Sequence, residues 1–196
     1  MGSDFSGETA IYYAKYRRGY PPAAVDAIVE AFGLGVDDLV IDLGCGTGQL
    51  TLPLAEHVTE AVGMDPEPEM LTEAARQAQA ARVTNVTWVQ GSSEALPGNI
   101  GRFKLVTMGR SFHWMNREQV LTVLEGMVDD DGGLVIANDS CLVRPTTQWQ
   151  RAIEDIQNRF LPPETPTNST NPATTPEPHE AILARSSFPG PAPHKL

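Results

Sequence analysis

A glycine-rich segment follows a short apolar run in the first quarter of the chain. Residues 40–50 read Val-Ile-Asp-Leu-Gly-Cys-Gly-Thr-Gly-Gln-Leu, so Gly44, Gly46 and Gly48 stand at alternate positions. Glycine tolerates positive φ and, having no side chain, lets a ligand approach the backbone closely. The pattern therefore predicts a buried strand, a tight turn and the start of a helix whose N–H groups face a bound ligand.

Two carboxylates stand in register with this glycine turn. Asp42 precedes the turn, and Asp65 closes a second apolar run 21 positions after Gly44. In nucleoside-binding βαβ units, an acidic residue about 20 positions beyond the turn meets the ribose hydroxyls. We therefore predict a nucleoside site built from the glycine turn and Asp65.

The neighbouring residues separate two nucleoside ligands. A dinucleotide site has the pattern G-x-G-x-x-G, and here Gln49 stands where the third glycine would be. Asp42 would repel the phosphates of NAD but would suit an ammonium group. S-adenosylmethionine carries an adenosine, a sulfonium and an ammonium, and it has no phosphate. The residues thus favour S-adenosylmethionine over NAD, and over a turn without a ligand.

From about Phe5 to about Phe188 the chain resembles the class I S-adenosylmethionine-dependent methyltransferases. A narrower likeness, to the small-molecule group that includes trans-aconitate methyltransferase-like proteins, rests on two segments. These are residues 13–21, Tyr-Ala-Lys-Tyr-Arg-Arg-Gly-Tyr-Pro, and residues 111–115, Ser-Phe-His-Trp-Met. The resemblance implies methyl transfer to an O, N or C nucleophile of a small molecule, with S-adenosylhomocysteine as product. The sequence does not identify the acceptor.

Two rival functions belong to other classes. One is an S-adenosylmethionine-binding protein without transferase activity, and the other is an NAD-dependent oxidoreductase. The composition of the turn speaks against the second, because Gln49 and Asp42 do not suit a dinucleotide.

The resemblance also implies which residues hold the cofactor. The segment after the third predicted strand would bracket the adenine: an Asp often stands where Ser92 does, Ser93 would offer its backbone N–H, and Glu94 a carboxylate. Gly109 would let the backbone pass close to the methionine part. The expected cofactor contacts are Tyr13, Arg17, Asp42, Gly44, Cys45, Gly46, Asp65, Pro66, Met70, Ser92, Ser93, Glu94 and Gly109.

The segment after the fourth predicted strand would line the substrate pocket, with Arg110, Phe112 and Trp114 as contacts. His113 is either a general base, since the ordinary pKa of histidine lies near neutrality, or a pocket wall together with Trp114. Transfer to a good nucleophile needs mainly alignment and exclusion of water, so a dedicated base is optional. We favour the pocket wall and keep His113 as the candidate catalytic residue.

Tyrosines and arginines are dense in residues 12–20. They form either a lid over the cofactor or an amphipathic helix packed on the core with its arginines in solvent. In the lid, an arginine or tyrosine would meet the carboxylate of S-adenosylmethionine or of an acidic substrate, and aromatic faces would attract the sulfonium. Tyr13 and Arg17 are the cofactor candidates, and Tyr16 is the substrate candidate.

Composition limits the partners and the location. The 196 residues carry a net charge of −11, which suits neither nucleic acid nor an anionic membrane. Cys45 and Cys141 have no metal-ligand spacing to each other or to the histidines, so we expect free thiols, no metal site and a reducing compartment. Without a leader segment or an apolar run of about 18 residues, we expect a cytoplasmic protein.

Apolar strands separated by helices predict an α/β fold with a doubly wound, mostly parallel sheet, the Rossmann-like methyltransferase fold. Residues 1–35 would form an N-terminal helical cap and residues 36–140 the cofactor-binding core. Residues 141–196 would hold a C-terminal helix, a Pro- and Thr-rich loop at 162–178 and a short end. The predicted strands are Leu39–Leu43, Ala61–Met64, Val86–Val89, Lys104–Met108 and Leu134–Ala137, and the helices between them are 49–57, 68–82 and 118–127.

The sheet is expected to lack its last one or two strands. Class I methyltransferases usually add a sixth strand and a reversed seventh, and here only residues 186–188 would begin a sixth. Either the chain is shortened or the edge is closed in another way. Because an uncovered edge tends to pair with another chain, we expect self-association or lower stability.

Overall fold

The computed structural model describes residues 8–93, 96, 100–138, 148–160 and 177–188. Five strands form one sheet in the order β3-β2-β1-β4-β5, and every neighbouring pair is parallel. The strands are β1 Leu39–Leu43, β2 Glu60–Asp65, β3 Val86–Gln90, β4 Phe103–Gly109 and β5 Val128–Ala137. The predicted α/β class with a parallel, doubly wound sheet is confirmed.

Helices connect the strands and cover both faces of the sheet. They are α1 Thr9–Tyr16, α2 Pro22–Phe32, α3 Thr51–Ala55, α4 Pro68–Ala81, α5 Arg117–Leu124, α6 Gln148–Phe160 and α7 His179–Leu183, with a short 3-10 turn at Phe112–Trp114. The break between α1 and α2 falls at Pro21, as predicted, because proline suits the residues that open a helix. None of the described helices is long and apolar enough to cross a membrane.

Alternate residues of the central strand point to two separate apolar layers. Ile41 packs in a cluster with Val106 and the inner face of α5, whereas Val40 packs on the other face with Leu105 and Leu54 of α3. A strand covered on both faces needs apolar residues at every position, which explains the unbroken apolar runs in the sequence. Apolar layers therefore pack on both faces of the sheet and fix the positions of the carboxyl ends of β1, β2 and β4.

Those three strand ends mark the point where the order of the sheet reverses. The chain moves outward from β1 to β2 and β3, and then crosses back to β4 on the other side of β1. In open α/β sheets, ligands bind in the crevice at such a point, beyond the carboxyl ends of the strands. The glycine turn leaves β1 at this crevice.

The fifth strand differs from its prediction. The predicted strand is Leu134–Ala137, but β5 also includes residues 128–133, and the pairing shifts from Phe103 opposite Val128 to Leu105 opposite Gly133. The extra residues form a bulge that carries the exposed aspartates toward two cations. Arg102 pairs with Asp129 and Asp130, and Lys104 Nζ lies 2.7 Å from Asp131 Oδ2.

Two helices are shorter than predicted. The helix expected at 49–57 spans only Thr51–Ala55, because the glycine turn continues through Gly48, whose φ is +81°. The helix expected at 118–127 spans Arg117–Leu124 and begins after Asn116, whose side chain accepts from Gln119 N.

The C-terminal part is described only in pieces. Ile182 of α7 packs into the same apolar layer as α5, and Phe188 adjoins it. Residues 186–188, the candidate for a sixth strand, do not form one, and β5 is the outermost strand on its side of the described sheet. The predicted loop at 162–178 lies outside the described residues except for Glu177 and Pro178.

Substitution of Gly63 tests how closely β2 packs against Trp88 of β3. A Cβ at this buried position would lie 2.3 Å from Trp88 Cζ3 and 2.5 Å from Trp88 Cε3. Because the ring is held between neighbours, we expect Gly63→Ala to lower the free energy of unfolding by about 1–3 kcal/mol, measured by urea denaturation.

Gly126→Ala is the matched control. Gly126 is exposed, and its added Cβ would lie 3.9 Å from the nearest heavy atom. We expect its effect to stay within about 0.5 kcal/mol. Equal effects of the two substitutions would contradict the close contact between Gly63 and the Trp88 ring.

Candidate functional site

The glycine turn adopts a backbone that only glycine takes up readily. Gly44, Gly46 and Gly48 have φ values of +67°, +54° and +81°. The N–H groups of Gly44 and Cys45 donate to Met64 O at 2.8 and 3.0 Å, which ties the turn to β2. A Cβ on Gly44 would lie 2.5 Å from Ser111 Cβ, so the turn also passes directly beside the segment that follows β4.

Asp65 joins the turn to the end of β2. Its Oδ2 accepts from Gly46 N at 2.9 Å and its Oδ1 accepts from Glu67 N at 3.0 Å. Burial raises the pKa of this carboxyl, and the two backbone donors oppose the rise. Because a carboxylate oxygen has more than one lone pair, Asp65 can still accept from the hydroxyls of a ligand.

Asp42 is a buried carboxylate that links three elements. It is 2% exposed, and it accepts from Thr51 Oγ1 at 2.6 Å and from Thr107 Oγ1 at 2.8 Å. Burial raises its pKa to about 6, although the two hydroxyl donors lower it; the charge of Asp65 adds a smaller rise. A cationic ligand group nearby would favour the ionised form.

Two cavities meet at the glycine turn. The larger, of about 320 Å³, lies between the ends of β1, β2 and β3, and the smaller, of about 20 Å³, lies between β1, β4 and the N-terminal segment. Gly44 lines both. The larger cavity contains the predicted cofactor residues Gly44, Asp65, Pro66, Met70, Ser92 and Ser93, and the smaller contains Tyr13, Asp42, Gly44, Cys45, Gly46 and Gly109.

The predicted cofactor residues that the structure describes thus line one cavity or the other, except Arg17. Arg17 lies over the Tyr13 ring, with its guanidinium carbon 5.9 Å from the ring centre, and it lines neither cavity. Glu94 lies outside the described residues. Their roles stay predictions.

The predicted substrate residues are more scattered. Arg110 lines the smaller cavity and Trp114 the larger, with 66% of Trp114 exposed. Phe112 instead is fully buried behind the site, where its ring meets the His179 ring at 5.0 Å. The 3-10 turn directs its first side chain into the core, which the spacing alone did not reveal. Tyr16 is 69% exposed and stacks on Tyr12.

His113 lies beside the larger cavity rather than in its lining. Its ring centre is 5.1 Å from that of Trp114, which does line the cavity. Partial burial lowers the pKa of His113, and the charges of Arg117 and Arg17 lower it further. At neutral pH this imidazole is therefore mainly uncharged and able to accept a proton, and both roles predicted for it remain predictions.

Several residues that the sequence did not assign also line the cavities. Tyr20 and Gln49 line the smaller one, and Ser111 and Met115 the larger. A Cβ on Gly109 would lie 2.6 Å from the Tyr20 hydroxyl oxygen, so Gly109 is needed to admit this ring. Their positions in the sequence are consistent with this placement: Tyr20 belongs to the segment rich in tyrosine and arginine, and Gln49 follows the last glycine of the turn.

Known proteins that are similar to this chain in sequence are methyltransferases. Residues 40–130 match a family described as a methyltransferase domain. An uncharacterized methyltransferase of Mycobacterium tuberculosis is 29% identical over 122 residues, which cover 62% of this chain and 46% of that protein. The chain spans about half the length of the curated relatives that it matches.

Solved structures agree on the fold. The YcgJ protein of Bacillus subtilis aligns with a TM-score of 0.59 and 21% identity, over 83% of this chain and 66% of that one. A methyltransferase from Thiobacillus denitrificans, solved in complex with S-adenosylhomocysteine, aligns with a TM-score of 0.55 and 19% identity, over 68% of this chain and 56% of that one. The Rossmann-like fold predicted from the sequence is thus confirmed.

Asp42 should impose a measurable pH dependence on stability. Its pKa rises from 3.8 to about 6 on folding, so the folded protein binds more protons between these values. The contribution of Asp42 to the free energy of unfolding therefore falls as the pH rises through this range, and it stays low above it. We expect Asp42→Asn to remove this fall, a change of up to about 3 kcal/mol relative to wild type.

Urea denaturation at a series of pH values from about 4 to 8 measures this difference. Asp26→Asn, on an exposed position of α2, is the matched control and should follow the wild-type curve. Parallel curves for Asp42→Asn and wild type would contradict the raised pKa of Asp42.

Proposed function

We propose that this chain is a class I S-adenosylmethionine-dependent methyltransferase and that it methylates an O, N or C nucleophile of a small molecule. The family matched by residues 40–130 and the methyltransferase relative support this proposal. One observation carries the proposal: two cavities meet at Gly44, one beside Asp65 and the other beside Asp42. The first has room for the adenosine of the cofactor, and Asp42 in the lining of the second would suit the ammonium group of its methionyl part.

The donor set of the site supports this cofactor. Asp65 would hold the ribose hydroxyls and Asp42 would attract the ammonium group. The glycine turn itself contains no lysine or arginine, and Arg110, which also lines the smaller cavity, is hydrogen-bonded to Gln49 and to Arg18 O. The position of a Cβ on Gly46 is 3.9 Å from Tyr13 Cε1, its nearest heavy atom. This open position lies where the methionyl part would approach the backbone. The family's cofactor, S-adenosylmethionine, therefore fits the residues present.

Bound S-adenosylmethionine supplies an electrophilic methyl group, whose carbon–sulfur bond breaks with its electron pair going to sulfur as the bond to the acceptor forms. The chain's own contribution is to align the acceptor and to keep water away. Trp114 and Met115 form a wall of the larger cavity and would shield the acceptor. His113, uncharged near pH 7 because its pKa is lowered, is the candidate to take up a proton released by an O or N acceptor.

A small acceptor is supported by the charge of the chain. With 14 basic and 25 acidic residues, the protein would repel nucleic acid, since binding needs cations to neutralise phosphates. A cytoplasmic location is supported by Cys45, which is a buried free thiol in the described structure and suits a reducing compartment.

Gly46→Val should abolish binding of S-adenosylhomocysteine while the protein stays folded. The branched side chain would enter the space between the turn and Tyr13, and φ of +54° is unfavourable for valine. Fluorescence titration measures the affinity. Gly33→Val is the matched control, because Gly33 has φ of +57° with no heavy atom within 4 Å of its added Cβ. Normal binding by Gly46→Val would show that the turn does not touch the cofactor.

The activity itself is tested with S-adenosylmethionine that carries a radioactive methyl group. Incubated with a small-molecule extract, wild type should transfer label to a product other than the cofactor. Asp65→Ala should weaken S-adenosylhomocysteine binding by about 1–3 kcal/mol, the scale of a lost charge-assisted hydrogen bond, and reduce transfer at low cofactor concentration.

Three results would contradict the proposal or one of its assignments. Label transferred only to added RNA or protein would exclude a small-molecule acceptor. Tight binding of S-adenosylhomocysteine without transfer to any acceptor pool would indicate a binding protein without transferase activity. Unchanged affinity in a folded Asp65→Ala variant would remove Asp65 from the ribose site.

A further inference from the structure

The segment between α1 and α2 borders the smaller cavity. We call residues 17–20 the strap. Tyr20, at its end, lines the cavity, as does Tyr13 of α1, whereas Arg17, Arg18 and Gly19 are exposed to solvent. A ligand group in this cavity would therefore be enclosed between the strap and the glycine turn.

Two side chains from the opposite wall hold the strap by its backbone. Gln49 Nε2 donates to Arg17 O at 2.8 Å, and Arg110 Nη1 donates to Arg18 O at 2.9 Å. The same two side chains are bound to each other, because Arg110 Nη2 donates to Gln49 Oε1 at 2.6 Å. The Arg110 guanidinium also lies 4.6 Å from the centre of the Tyr20 ring. We call Gln49 and Arg110 the clamp.

The backbone conformation of Arg110 is unusual for a residue with a side chain, and it directs this side chain toward the strap. Its φ is +56°, a region that costs a residue with a side chain on the order of 1 kcal/mol. Arg82 is the other described non-glycine residue with positive φ, and it simply ends α4. Arg110 ends no helix; its N–H donates to Ala137 O at 2.8 Å, and this backbone aims the guanidinium at the strap.

The closed strap leaves little room. The smaller cavity has a volume of about 20 Å³, which is enough for about one water molecule. The amino-acid part of S-adenosylmethionine has several non-hydrogen atoms and needs a much larger space. The larger cavity, of about 320 Å³, lies on the other side of the glycine turn and involves neither the strap nor the clamp. The methionyl part therefore does not fit the smaller cavity while the strap is closed, whereas the larger cavity has room for adenosine.

We propose that Gln49 and Arg110 are positioning residues that fasten the strap over the methionyl half of the site, and that opening of this clamp limits how fast the cofactor binds and its product leaves. This inference rests on the proposed function. It assigns Arg110 to the closure of the cofactor site, a different role from the substrate contact that the sequence suggested.

Wild-type protein gives the first test, by stopped-flow fluorescence of the tryptophans, of which Trp114 lines the larger cavity. The observed rate of S-adenosylhomocysteine binding should level off at high ligand concentration, because the opening step becomes limiting. The rate for adenosine should rise linearly over the same range. A linear rise for S-adenosylhomocysteine would overturn the proposal.

Two variants give the second test. Gln49→Leu keeps the approximate volume but removes both hydrogen bonds, and Arg110→Asn removes the guanidinium while tolerating positive φ. In each, we expect the association and dissociation rates of S-adenosylhomocysteine to rise by about tenfold, the scale of one or two lost hydrogen bonds. The rates for adenosine should not change. Gln79→Leu, at an exposed position of α4, is the matched control.

The outcomes separate this inference from the proposed function. Wild-type rates for S-adenosylhomocysteine in a folded clamp variant, or equal acceleration with adenosine, would overturn the role of the clamp. If neither variant folds, the concentration dependence of the wild type decides alone. Failure of wild type to bind S-adenosylhomocysteine at all would instead contradict the proposed function.

Discussion

The structure of the site depends on the pair of hydrogen bonds that hold the Asp42 carboxylate. One oxygen accepts from Thr51 at the start of α3 and the other from Thr107 in β4, so a single side chain of β1 fixes both elements. Burying a carboxylate is unfavourable, which is why its pKa rises to about 6, and the two hydroxyls offset part of that cost. The ammonium group that we propose as the ligand of Asp42 would offset more of it.

The rest of the site follows from the parallel register around β1. Asp42 is paired with Gly63 of β2 and with Thr107 of β4, so the ends of these strands lie side by side. Asp65 then reaches Gly46 across the turn. The glycines let the turn press against Ser111 on one side while leaving open space toward Tyr13 on the other. The larger cavity therefore lies where β1, β2 and β3 end, and the smaller lies where β1 and β4 meet the N-terminal segment.

Much of this arrangement was predictable from the sequence. Unbroken apolar runs predict buried parallel strands, and an acidic residue 21 positions after Gly44 indicates which second strand end lies beside the turn. The first of these signals is local in the sequence, and the second depends on the βαβ unit, which recurs in many proteins. The central residues of all five strands, and the proximity of Asp65 to the glycine turn, could therefore be predicted from the sequence.

The features that could not be predicted from the sequence depend on contacts between residues that are far apart in the chain. The bulge in β5 arises where Arg102 and Lys104 meet the aspartates of the next strand, a pairing that no local pattern encodes. Phe112 is buried in the apolar cluster that contains Leu121, and its ring also meets that of His179, 67 positions later. The clamp links Arg110 to Gln49 and to Arg18, at separations of 61 and 92 residues. Side-chain partners of this kind require the fold itself.

We propose that the glycine turn, Asp42 and Asp65 form a site for a nucleoside that carries a cation and no phosphate. Isothermal titration calorimetry of the wild-type protein with S-adenosylhomocysteine and, in a separate experiment, with NAD tests this proposal. We expect one S-adenosylhomocysteine to bind per chain and NAD to give no measurable binding. Stoichiometric binding of NAD, with no heat from S-adenosylhomocysteine, would contradict the proposal.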